Sequence, residues 1–169
     1  MPRKKSDIQK DLMIWAEQAV RPDEFIKFRF CNVLSISERA AIEKLANIDS
    51  SALTRRDFNK YWYLFSYFSD EALGYFLPKV LFLTIDWKAI QMLDVSEYGF
   101  VLFNFSDSGL PHPRLEPLVK QFPPPRRRLI GEFFQWEARY RYKSDPWMNN
   151  FEHGLVKFVK SNEFQLIFS

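Results

Sequence analysis

Beyond its carboxylates, the chain holds only three side chains with strong metal-binding or nucleophile–base chemistry: Cys31, His112 and His153. A structural or catalytic metal needs such groups at short, recurring intervals. These three stand far apart in sequence, so the reading is no metal site. Nucleophilic catalysis needs a nucleophile, a base and an orienting acid. Cys31 falls in a segment that reads as a strand, where a thiol behaves as a small hydrophobe, and no G-x-S-x-G elbow exists. His112, held between Pro111 and Pro113 in a stiff loop, is the one histidine placed like a functional group. With Asp107 or Glu97 as its acid, it gives a small enzyme or toxin as an alternative reading. Asp70-Glu71 offers acid–base chemistry, but two acids at a helix start also answer the helix dipole. There is no glycine-rich phosphate loop. The residues therefore predict no catalytic site and no cofactor.

Two constellations suit binding instead. Asp94, Glu97, Tyr98, Asp107, His112 and Arg114 fall in one acidic, proline-bearing stretch. They form the expected partner-binding surface, whose acids would pair with a basic cleft and whose proline loop would enter it at little ordering cost. The second constellation is Arg126-Arg127-Arg128 after three prolines, with Arg139, Arg141 and Lys143 further along the same helix and Tyr140 and Tyr142 between them. Cations with interleaved aromatics suit phosphates and stacked bases, which makes a nucleic-acid-binding module the other alternative. Glu132 and Glu137 interrupt that face, and a net charge of +3 is modest for such a role. Three arginines in a first turn also oppose the helix dipole, which points to an acidic partner for them.

Periodicity supplies the elements that must position these groups. Ser6-Asp7-Ile8-Gln9 reads as a capping box opening a helix to about Val20, with Ile8, Leu12, Trp15 and Ala19 on one face. Residues 25–31 (FIKFRFC) alternate and predict a half-buried strand. Ser35-Ile36-Ser37-Glu38 is a second capping box, opening a helix to about Asn47. A short helix follows over 56–67 with Thr54 as its cap. Ser69-Asp70-Glu71 starts an apolar helix that Pro78 should kink or break near Phe76-Leu77, with the helix resuming to about Met92. Residues 99–105 (GFVLFNF) are apolar on both alternating faces and predict a central strand, although buried helix fits the same run. A short helix bearing Leu115, Leu118, Val119 and Phe122 is expected within the proline-rich stretch. Helices over 126–142 (Leu129, Phe133, Trp136, Tyr140) and 145–160 (Trp147, Phe151, Leu155, Phe158) follow, and EFQLIFS reads as a third strand.

Composition bounds the rest. The chain has 169 residues, 18% of them aromatic, enough for one well-filled core. Residues 1–60 carry 12 basic and 9 acidic side chains, residues 61–110 carry 2 and 6, and residues 111–169 carry 10 and 6, so an acidic centre lies between basic flanks. A single cysteine excludes an intrachain disulfide and suits a reducing compartment. The N-terminus lacks an uninterrupted apolar h-region, and no window is long enough for a membrane span. A cytoplasmic location is therefore expected. The fold class is α+β: a mostly helical domain over residues 6–169 with a small antiparallel sheet of two or three strands, after a disordered basic tail at 1–5.

At Glu71-Ala72-Leu73-Gly74-Tyr75-Phe76-Leu77-Pro78 the chain resembles a family of small uncharacterised bacterial proteins with an aromatic-aromatic-Leu-Pro core helix. Phe122 to Trp136 (FPPPRRRLIGEFFQW) is similar to that family's later proline- and arginine-rich helix. The resemblance implies a scaffold with no transferable catalytic residue and, by class, a likeness to immunity proteins encoded beside bacterial toxins. The resulting expectation is a non-enzymatic binding protein that occludes the active site of a toxin or effector. Exposed aromatics would equally serve a homodimer.

Overall fold

The computed structural model describes residues 3–86, 93, 95–140 and 149–169. Among them lie nine α-helices: α1 (Lys5–Glu17), α2 (Ile36–Ala46), α3 (Arg55–Tyr61), α4 (Asp70–Ile85), α5 (Glu97–Phe103), α6 (Leu115–Lys120), α7 (Pro124–Tyr140), α8 (Asn149–Phe158) and α9 (Asn162–Phe168). Three short 3-10 turns cover Phe28–Phe30, Ser50–Ala52 and Trp62–Tyr67. The chain gathers into two compact units, a central one of Leu12–Tyr98 and a terminal one of Met1–Asp11 with Gly99–Ser169.

Among the described residues the expected sheet is not there, and the fold is all-helical. Extended pairing among the described residues is limited to two isolated bridges, Ile26 with Phe68 and Phe105 with Pro111. Each of the three expected strands has a local reason for its fate. Residues 25–31 make one bridge and then coil into the Phe28–Phe30 turn, because the facing segment runs from a 3-10 turn straight into α4 and offers no second strand. Residues 99–105 lie mostly within α5, which buries Tyr98, Val101 and Leu102 at helical spacing and leaves Phe100 exposed. The tail is α9: Ser161 caps it by accepting the Phe164 N–H, and Phe164, Ile167 and Phe168 share the buried face.

The central unit is built around α4, which buries eleven of its sixteen residues and so is a core helix rather than a surface one. Ser69 caps it through the Ala72 N–H. Pro78 neither ends nor divides it. Proline removes the N–H that an α-helix would aim at the Gly74 carbonyl, and side chains supply donors on either side of that point. The Tyr98 hydroxyl donates to the Leu73 carbonyl at 2.6 Å, and the Ser50 hydroxyl donates to the Tyr75 carbonyl at 2.6 Å. Phe25, Phe58, Phe65, Phe68, Phe76 and Tyr98 close around the helix, with Phe65 5.0 Å from Phe68 and 5.3 Å from Tyr98. Two full capping boxes hold the flanking helices, Ser35 with Glu38 on α2 and Thr54 with Asp57 on α3. The box expected at Ser6 is absent, since α1 already begins at Lys5.

In the terminal unit α7 packs against α9, α8 and α6. Its seam is also aromatic: Phe134 meets Phe133, Phe158 and Phe168 at 5.6, 6.5 and 5.6 Å. The buried residues of α7 are Leu129, Ile130, Gly131, Phe133, Phe134 and Glu137, so Leu129 and Phe133 of the expected stripe are buried while Trp136 is half-buried and Tyr140 exposed. The α8 helix lies so close to the 105–109 turn that a Cβ on Gly154 would come within 2.6 Å of the Ser106 carbonyl oxygen. Alanine is the better helix former by about 1 kcal/mol, yet Gly154→Ala is expected to lose about 1–3 kcal/mol because backbone has to move. Urea denaturation measures it, and an unchanged or higher midpoint would refute that close approach.

Candidate functional site

The six residues expected to form a partner surface are divided between the two units, Glu97 and Tyr98 in the central one and Asp107, His112 and Arg114 in the terminal one. Asp94 lies outside the described residues. Tyr98 is 1% exposed, and burial pushes its hydroxyl well above the ordinary value, so it stays a protonated donor to Leu73. Glu97 faces Lys27 at 3.9 Å. In the terminal unit Asp107 is exposed and its carbonyl receives Lys157 Nζ at 2.5 Å. His112 Nδ1 accepts the Arg114 backbone N–H at 3.2 Å, a local turn bond. No hydrogen bond or ion pair joins the side chains of Asp107, His112 and Arg114 to one another among the described residues.

Two other features emerge. The first is the segment 28–36 of the central unit. Phe28 is 91% exposed, Val33 70% and Ile36 89%. The segment beneath them is pinned. Lys27 Nζ donates to the Ser66 carbonyl at 3.0 Å and the Lys27 N–H to the Tyr67 carbonyl at 2.8 Å. Phe30 sits edge-on to Tyr67 at 5.1 Å, with the Arg29 guanidinium 4.6 Å from the Phe30 ring centroid. The Tyr67 hydroxyl donates to Glu38, which accepts the Ser35 N–H and hydroxyl at 2.8 and 2.7 Å. Arg39 donates to the Leu34 and Cys31 carbonyls. Alternation suggested that Ile26, Phe28 and Phe30 share a buried face; the 3-10 turn separates Phe28 from the other two.

The second feature is a groove of about 640 Å³ in the terminal unit, between the start of α1, the second half of α7 and the end of α8. Trp136 and Tyr140, one helical turn apart, stack at 5.7 Å and 29° along it. Arg3 spans one side, bonded to Asp11 at 2.5 Å and Glu132 at 2.7 Å. Those two carboxylates, Asp11 foremost, raise its pKa above the ordinary value. Glu132 thus pairs with Arg3 rather than with Arg128, four residues upstream on its own helix. Lys5 lies 6.0 Å over the Trp136 ring, and Arg139 and Lys160 complete the rim. Of the arginine triplet, Arg127 has its Nε buried with no hydrogen-bond partner. Arg141, Tyr142 and Lys143 lie outside the described residues.

Comparison with family models, with curated proteins and with solved structures returns no match. Among the described residues no helix is long and apolar enough to cross a membrane.

The pinned segment carries a titratable lock. The Ser35 N–H, then its hydroxyl, and to a lesser degree Tyr67, hold the Glu38 carboxyl below its ordinary 4.5. A depressed carboxyl stabilises the fold above its unfolded value, and that contribution disappears as pH falls through the folded value. Side-chain carbon NMR is expected to place Glu38 below 4.5. Ser35→Ala should move it part of the way back, because the N–H remains, while the lost cap costs about 1 kcal/mol. An unshifted Glu38 in the native protein would remove the lock.

Proposed function

We propose that the chain is a non-enzymatic binding protein of the immunity kind, which neutralises a toxin or effector by covering its active site, and that residues 28–36 seat it on that partner. The observation that carries the reading is a large apolar surface held out on rigid backbone: Phe28, Val33 and Ile36 exposed over a segment fixed by Tyr67, Glu38 and Ser35. Preorganisation of this sort lowers the ordering cost of association. An aromatic ring beside an arginine is the usual chemistry of an interface anchor. Phe28 adjoins Arg29 in sequence, and the Arg29 guanidinium lies over the neighbouring Phe30 ring. The matching partner surface is an apolar pocket rimmed by carboxylates, opposite in sign to the basic cleft that an acidic surface would require.

Phe28→Ala tests this without disturbing the fold, since a side chain so exposed contributes within about 0.5 kcal/mol to stability. The tagged protein is expected to capture one specific partner that arrests growth when expressed alone. Co-expression of the native chain should restore growth, and Phe28→Ala should weaken binding by about 2 kcal/mol or more. Equal capture and protection by Phe28→Ala and Ile36→Ala would exclude this surface. A harmless partner would exclude the neutralising role.

A further inference from the structure

The groove of the terminal unit has the chemistry of a small-molecule site, and it shares no residue with segment 28–36. Its volume of about 640 Å³ falls within the roughly 300–1,000 Å³ usual for ligand pockets. The core does not need the groove's aromatics. It takes Ile130, Phe133, Phe134 and Glu137 from α7 and leaves Trp136 half-buried and Tyr140 47% exposed. The two rings stack on each other, and the exposed part of the Tyr140 ring is available to a further planar group. Around them Arg3, Lys5, Arg139 and Lys160 stand against Asp11 and Glu132, a balance of +2. Arg3 is already paired with both carboxylates, whereas Lys5, Arg139 and Lys160 have no carboxylate partner among the described residues.

Helix ends alter that balance without reversing it. The C-terminal ends of α7 and α8 bring about −0.5 charge each, and the N-terminal end of α1 about +0.5. The groove remains positive. The whole terminal unit has the same sign, with 14 basic and 9 acidic residues, a net of +5, against 10 and 12, a net of −2, in the central unit. An apolar wall of Val156 and Val159 faces the rings. A planar, partly apolar body joined to a compact anion satisfies all of these features together. A purely aliphatic acid leaves the rings unused, and a cation meets the lysines and arginines.

We propose that this groove binds a nucleotide, its base stacked on the exposed ring of Tyr140 and its phosphate held by Arg139 and Lys160. Free nucleotides and single-stranded nucleic acid share this chemistry. The proposal stands apart from the protein-binding reading, because no residue of the groove belongs to segment 28–36.

Isothermal titration calorimetry of the full chain tests it with nucleoside 5′-monophosphates, the matching nucleosides, inorganic phosphate and a single-stranded hexanucleotide. The monophosphates are expected to bind at least tenfold more tightly than either the nucleoside or phosphate alone. Tyr140→Ala should weaken binding at least about fivefold, the lower end for loss of a stacked base, while Tyr140→Phe keeps it within about twofold. Lys160→Ala should weaken phosphate-dependent binding about as much as Tyr140→Ala weakens stacking. Both positions are exposed, so an unchanged thermal midpoint confirms folding. A hexanucleotide more than tenfold tighter than the monomer, with steep salt dependence, assigns the strand as the source. Equal affinities assign the free nucleotide. No binding of any nucleotide or oligonucleotide at millimolar concentration would overturn the proposal. So would binding that survives both Tyr140→Ala and Lys160→Ala, or that Tyr140→Phe abolishes as fully as Tyr140→Ala.

Discussion

The central unit depends on keeping one helix intact across a proline. Pro78 withdraws a backbone donor in the middle of α4, where the helix is buried all round and water cannot supply one. The fold answers with side chains drawn from elsewhere in the sequence: Tyr98 on the Leu73 carbonyl and Ser50 on the Tyr75 carbonyl. Tyr75 returns the contact, since its hydroxyl accepts the Ser50 N–H and donates to the Ile48 carbonyl. These bonds fix where the 48–50 segment and the start of α5 sit against α4. The buried polar groups thus bracket the Gly74 carbonyl, which the proline leaves without its helical donor, and the aromatic rings pack around the same stretch of helix.

Both units fill their cores with rings, and this explains why the exposed rings stand out. A Phe or Tyr buries roughly 150–250 Å² with few rotatable bonds, so a chain this aromatic can close two cores and have rings left over. Tyr63 and Phe100 are among them, as are Phe28 in the central unit and, beside the half-buried Trp136, Tyr140 in the terminal unit. Scattered apolar residues on a surface need no explanation. Phe28 and the Trp136–Tyr140 pair differ because hydrogen-bonded backbone holds the first in place and stacking holds the pair.

Much of the helix content was legible in the sequence, and the errors share a cause. The caps at Ser35 and Thr54, the α6 face of Leu115, Leu118 and Val119, and the amphipathic character of α7 follow from local pattern. The three strands were misread because short aromatic runs satisfy period two and period 3.6 equally. In α9 the deciding signal was present: Ser161 stands where an N-cap belongs, three residues before Phe164. Segment 25–31 carried no such signal, because its alternation is real and only the lack of a second strand defeats it. Pro78 does not break the helix. The donors that reach the carbonyls on either side of Gly74, Ser50 and Tyr98, are distant in sequence, so no local rule can see them.

The site residues follow the same division. Tyr98 looked like a surface tyrosine because it lies beside acids, yet its hydroxyl is committed to the helix that the proline weakens. Acidity along the sequence is a poor guide to an acidic surface when a lysine such as Lys27 comes back to face Glu97. Aromatic character alone does not decide burial either: Trp136 is half-buried and Tyr140, one turn further on, is exposed. On α7 the edge of the buried face separates core from groove. Ile130 and Phe134 enter the core, while Trp136 and Tyr140 stay out beside Lys5, Arg139 and Lys160. Periodicity fixes the spacing of a helical stripe but not which of two overlapping stripes the neighbours cover. In α7 that choice is made by α9, whose Phe168 closes on Gly131, where a Cβ would come within 2.9 Å of it. A glycine that admits one phenylalanine thus decides which aromatics of the helix are left for a ligand.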